Sequence, residues 1–220
     1  MTFSLLAKDS GTGAIGGAAA TGSLCVGGWV LRGAWGKGIS ASQGAAPSTL
    51  WGENVLDGMA AGLTATDAVA KVTGADAGRA ARQLSALDMS GGAGVHSGSD
   101  NSAVVAERLF DGGVAAGNML ASADVADALA DGYLSMRGDF ALRLLAGLRA
   151  AEAAGSDFRG LQSAALLILH PDRAPLTLRV DFSDDPLTAL ETLHRHATTG
   201  DYADWTRQVP TINDPERVLD

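Results

Sequence analysis

The chain has 220 residues, 46% apolar and 19% charged, which suits one domain with a sizeable core and excludes a disordered polymer. A formal net charge of −9, with no cluster of Lys and Arg, removes the electrostatic footprint of a nucleic-acid binder and the basic face of a membrane-surface helix. The single cysteine, Cys25, excludes an intramolecular disulfide framework and a cysteine-based zinc site.

Residues 3–7 are an apolar run behind the hydroxyl of Thr2, with no signal-peptide pattern at the start. They read as a strand. Residues 9–13 read as a turn and 14–21 as a second strand, which makes a hairpin. Gly11-Thr12-Gly13-Ala14-Ile15-Gly16 matches the dinucleotide pattern, but the glycine-rich stretch behind it is a poor helix and no acidic residue follows at the required distance. No cofactor is therefore expected. Cys25 lies in the apolar run Leu24-Cys25-Val26 and reads as a buried small residue. Residues 26–31 and 38–43 read as two further short strands of a meander, the second closed by Gln43.

A helix is expected over 51–63, with Leu50, Val55, Leu56 and Met59 on one face. Thr64 or Thr66 caps the next helix. A helical turn follows near Arg79, then strands at 82–87 and around Val95-His96. Residues 100–106 are ambiguous, and a short strand at 113–116 leads to Asn118. Ser122 and Asp139 are the N-caps expected for two long helices, the second stopped by Gly155. The apolar run 161–169 reads as a central strand and pairs back with 176–181. Asp185-Pro186 opens a last helix, with Leu187, Leu190 and Leu193 inward. The polar tail has Trp205 as its anchor.

This order predicts an α+β fold. Hairpin-linked strands and paired helices suggest two stacked antiparallel sheets with helices on the outer faces, a four-layer αββα sandwich. Residues 1–197 form the domain and 198–220 a tail packed on it. No apolar stretch approaches the roughly 20 residues of a membrane span, so a cytoplasmic protein is expected. A homodimer is the default assembly, two-fold pairs being the commonest.

The chemical candidates are few. No H-E-x-x-H or G-x-S-x-G occurs. His194 and His196 are two apart on a helix and point to different faces, so no metal site is expected from them. Asp181, Asp184 and Asp185 read as solvated capping residues. Gln43 and Asn118 are polar groups at the ends of apolar strands, where they line a cleft or satisfy nearby backbone. Asp157 and Arg159 precede the apolar 161–169 run and read as a structural ion pair or a carboxylate clamp. If Met1 is removed, Thr2 carries a hydroxyl and a free α-amine together, an arrangement in which the amine activates its own side chain.

Thr2-Phe3-Ser4, Ala7-Lys8-Asp9, Gly13 and the strand at 16–20 resemble the start of the DUF1028 proteins, a bacterial family placed in the Ntn-hydrolase superfamily. The likeness continues in Gly117-Asn118-Met119-Leu120-Ala121, in the helix around Arg143, Leu145 and Leu148, in Asp157, Arg159-Gly160 and Gln162-Ser163-Ala164-Ala165, and in Arg179-Val180-Asp181 before Asp185-Pro186. The resemblance implies an Ntn-hydrolase-like αββα sandwich, Thr2 as nucleophile, and small amides as substrates. Gln43, Asn118, Asp157 and Arg159 would then bind substrate or the oxyanion. The family often has Ser-Lys where this chain reads Thr21-Gly22-Ser23, and Lys8 or Lys37 would have to supply the missing base.

Overall fold

The computed structural model describes residues 2–155 and 160–219. Ten strands and seven helices are formed by these residues. In chain order they are β1 (Thr2–Lys8), β2 (Ile15–Thr21), α1 (Val26–Trp29), β3 (Leu31–Ala34), β4 (Gly38–Gly44), α2 (Thr49–Ala60), α3 (Ala65–Gly74), β5 (Arg82–Leu87), β6 (Ala93–Ser97), β7 (Ala106–Phe110), β8 (Gly113–Asn118), α4 (Asp124–Ser135), α5 (Phe140–Ala153), β9 (Ser163–His170), β10 (Arg173–Val180), α6 (Pro186–Thr198) and α7 (Gly200–Thr206).

The strands make two antiparallel sheets. One has the order β10-β9-β2-β1-β8-β7 and the other β3-β4-β5-β6. Their alternating side chains divide the core into three layers. Phe3, Leu5 and Ala7 of β1 and Ala18 and Ala20 of β2 point outward, against Leu129 of α4, Leu144 and Leu148 of α5, and Leu187 and Leu190 of α6. Leu6, Ile15, Ile39, Leu87 and Val114 point inward and form the seam between the sheets. Leu84 and Ala86 of β5 point away from that seam and receive Trp51, Val55 and Met59 of α2 and Ala68 of α3. The result is an α+β sandwich of two sheets with helices on both outer faces.

Local signals set the helix limits. Thr64 Oγ1 accepts from Asp67 N at 3.1 Å and starts α3. Asp139 Oδ1 accepts from Leu142 N and starts α5, and Asp185 Oδ1 accepts from Thr188 N and starts α6. Arg149 of α5 grips both carboxylate oxygens of Glu191 at 2.7 and 2.8 Å, fixing α6 beside α5. That hydrogen-bonded guanidinium holds the Glu191 carboxyl below its usual range.

Several elements differ from expectation, and side-chain partners explain why. Residues 26–29 are a helical turn, because Ser163 Oγ accepts from Val26 N at 3.1 Å and Cys25 turns the chain with φ of 61°. The expected meander is therefore split: β1 and β2 belong to one sheet, β3 and β4 to the other. Cys25 is half-buried. The ambiguous stretch gives way to β7, an edge strand whose alternating exposure leaves too few apolar residues to read. The 161–169 run forms β9 one place in from the edge, while β1 and β2 are central. Ala123 stands at the start of α4 where Ser122 was expected. Leu50 faces solvent and Trp51 is buried in its place. The tail forms α7, whose buried contact is Ala203, with Trp205 half-exposed and tilted against Tyr202.

Gly17 of β2 sits in the seam. A Cβ there would lie 2.7 Å from Leu6 Cδ2, 3.1 Å from Leu5 O and 3.2 Å from Ile39 Cδ1. Gly17→Val should therefore cost about 1–3 kcal/mol by overpacking. Thermal denaturation should show a midpoint several degrees lower, and an unchanged midpoint would mean that the sheets have room to separate.

Candidate active site

Strand β1 pairs with β2 on one edge and β8 on the other. The register sets Thr2 opposite Thr21 and Asn118, and Thr21 opposite Ser163. Because β1 alternates, Thr2, Ser4 and Leu6 all face the second sheet. The intersheet layer thus changes character along its length. It is apolar at Leu6, Ile39 and Val114, and polar where Thr2, Ser4, Asn118, Gln43 and Gln83 come together.

The polar end is tied by neutral groups. Thr2 Oγ1 and Thr21 Oγ1 are 3.0 Å apart and share a hydrogen bond. Gln43 Nε2 donates to Gln83 Oε1 at 2.7 Å, and longer contacts reach Ala116 O at 3.3 Å and Thr2 O at 3.4 Å. Gln83 Nε2 donates to Ser97 Oγ at 2.9 Å and Gly117 O at 3.1 Å. Among the described residues Asn118 Nδ2 makes only a long contact, 3.4 Å, to Gln83 Oε1. Ser163 Oγ donates to Ser23 O at 2.7 Å. Within this cluster Ser4 Oγ and Gln43 Oε1 are buried with no hydrogen-bond partner among the described residues.

Three of the residues expected from the sequence, Thr2, Gln43 and Asn118, are brought together. Asp157 and Arg159 lie outside the described residues; the described chain resumes at Gly160, and Gln162 N donates to Thr21 O at 2.8 Å. Neither lysine proposed as a base is near Thr2. Lys8 closes the same strand about 20 Å away at the rise of an extended chain, and donates to Met89 O. Lys37 pairs with Asp57 on the outer side of the second sheet. The histidines are also elsewhere: His96 packs on Trp51, His170 ends β9, and His194 and His196 ride on α6.

Sequence reading missed Gln83, the hub of the amide network. Its signal was present: in β5, Gln83, Ser85 and Leu87 alternate with Leu84 and Ala86, and only the inward series is polar near one end. Among the described residues no group of three His, Cys, Asp or Glu side chains converges as a metal site would require, and no helix is long and apolar enough to cross a membrane.

Fold and site together define an α+β sandwich protein with a threonine hydroxyl at the head of a central strand. The chain belongs to the family of unknown function DUF1028, which matches residues 2–190. It is similar to a crystal structure of a DUF1028 protein from Silicibacter pomeroyi, with 56% sequence identity and a TM-score of 0.97 over 100% of this chain and 96% of that one. No curated protein matches the chain.

The connected Gln83 and the unpartnered Ser4 give opposite expectations. Gln83→Leu strands the donors of Gln43 and Asn118 and should lower stability by about 1–3 kcal/mol. Ser4→Ala removes a hydroxyl that has no partner and should leave stability unchanged or slightly raised. Urea unfolding of both variants checks the pair, and a Ser4→Ala loss as large as that of Gln83→Leu would contradict the network as described.

Proposed function

We propose that the protein is an N-terminal-nucleophile amidohydrolase that cleaves a small amide or peptide-like substrate, with Thr2 as nucleophile after removal of Met1. One observation carries the reading. The Thr2 hydroxyl stands at the start of a central strand, half-buried, in a cluster of amides and hydroxyls.

In the proposed reaction Thr2 Oγ1 attacks the substrate carbonyl carbon. Its proton passes to the Thr2 α-amine, directly or through a water. Asn118 is the oxyanion donor best suited to the role, since its amide has one N–H beyond the long contact to Gln83. Gln43 has its donors spent on Gln83 and backbone carbonyls, and so acts as support. Collapse of the tetrahedral adduct breaks the C–N bond, the leaving amine takes the proton, and an ester on Thr2 remains for water to hydrolyse.

The second reading is a non-catalytic binding protein on the same scaffold. It is favoured by the position of the lysines, since Lys8 and Lys37 are engaged elsewhere and Lys71 is exposed on the outer helix α3. Without a lysine the α-amine is the sole base, so the two readings separate at one peptide bond. Intact-mass measurement on protein from its own cells should show loss of Met1, and retention would reject the mechanism. On any amide that the protein turns over, Thr2→Ala should reduce kcat by about 10³-fold or more. Unchanged turnover would remove Thr2 from the chemistry.

A further inference from the structure

Beyond the far end of β1, about 20 Å from Thr2 along the strand, lies a cavity of about 770 Å³. Its size falls in the range of roughly 300–1,000 Å³ typical of small-molecule sites. The β9–β10 hairpin, the start of α5, and helices α6 and α7 enclose it. Its apolar wall includes Phe140, Ile168, Leu176 and Leu178.

Most polar groups around this cavity are already engaged. Asp9 accepts from Arg143 Nη1 at 2.9 Å and from the Thr12 backbone and hydroxyl. Arg207 pairs with Asp204. Asp172 accepts from Asn213 Nδ2 at 2.7 Å, and the backbone N–H of Asp172 donates to His170 Nδ1. Thr198 and Thr206 donate to backbone carbonyls within their own helices.

Three of the groups left with capacity are ionisable and bear on what the cavity would hold. His194 is only 8% exposed, lines the cavity, and makes no side-chain hydrogen bond among the described residues. Burial pushes its pKa down, against an opposing pull from the Asp139 carboxylate, so near neutral pH the ring is uncharged and can accept as well as donate. Asp139 uses Oδ1 to cap α5 and keeps its other oxygen. Arg173, exposed at the rim, has no ion-pair partner among the described residues.

We propose that this cavity binds a small zwitterion with an apolar body, an α-amino acid such as leucine or phenylalanine. The ammonium is taken by Asp139 and His194, the carboxylate by Arg173, and the side chain by the wall around Phe140 and Ile168. The charge pattern selects this class. A simple carboxylate would face Asp139 and Asp172 with no cation of its own to offset them. A simple amine would leave the Arg173 guanidinium unused. The site is independent of the amidohydrolase reading, because it shares no residue with the Thr2 cluster.

Titration calorimetry on the whole protein tests the proposal, with L-leucine and L-phenylalanine as probes. Two analogues each lack one charge of leucine: 4-methylpentanoate has no ammonium and 3-methylbutylamine no carboxylate. Saturable binding of at least one amino acid is expected, with each analogue at least tenfold weaker. Arg173→Ala and Asp139→Asn should each weaken binding at least tenfold. Both should leave the thermal midpoint unchanged, since Arg173 is exposed and Asn caps a helix as well as Asp. Absence of saturable heat with both amino acids would overturn the proposal, as would analogues that bind as well as leucine. Binding that survives Arg173→Ala but is lost in Thr2→Ala would move the ligand to the head of β1 and overturn it equally.

Discussion

Strand β1 is paired on both edges and covered on both faces, and this double confinement governs the rest of the molecule. Its outward residues, Phe3, Leu5 and Ala7, supply the layer on which α4 and α5 rest. Its inward residues meet the second sheet across a thin seam. Glycine at 17 and alanines at 18, 19 and 20 in β2 keep that seam and the helix layer close. A side chain at the head of such a strand cannot swing away: its backbone is fixed by both neighbours, and its hydroxyl must find partners on the strand beside it. Thr2 finds Thr21.

The polar end of the seam would be costly if it were only structural. Buried amides and hydroxyls gain little over apolar side chains of the same shape even when fully paired, and lose when a partner is missing. Here Gln43 and Gln83 are well connected, while Ser4 Oγ and Gln43 Oε1 are not. Incomplete satisfaction beside a hydroxyl at the head of a strand fits a site that trades stability for chemistry. The cluster's own side chains are neutral, with the Glu107 carboxylate joined to it only through Ser97, so in the proposed reaction dipoles would stabilise developing charge and proton transfer would fall to the Thr2 amine.

Much of this was legible in the residues. An apolar run marked β1, alternation marked β10, and hydroxyl and carboxyl caps marked α3, α5 and α6, because those signals are local. The layered architecture followed from the order of hairpins and helix pairs. What was not legible depends on contacts distant in sequence. Val26 to Trp29 is apolar enough for a strand, and only Ser163, 137 residues on, captures its backbone as a helical turn. The residues of β7 carry no clear pattern because an edge strand has one neighbour and a wet face. At the site, Thr2, Gln43 and Asn118 could be singled out as polar groups at strand ends. Gln83 shows only as one polar residue in an alternating strand, and its importance comes from the β4–β5 register that sets it directly opposite Gln43. Lysine spacing was the least informative signal: Lys8 is close to Thr2 in sequence but at the other end of the same extended strand.

In the proposed reaction Thr2 is a reactive hydroxyl and not merely a strand terminus. A β-lactone probe tests this directly, because ring opening by the hydroxyl forms an ester and adds the whole mass of the probe. Protein with Thr2 as its first residue should be labelled once, and peptide mass mapping should place the adduct on Thr2, with no labelling of Thr2→Ala or of protein that retains Met1. An adduct on another residue, or none on protein whose Thr2 amine is free, would contradict the assignment.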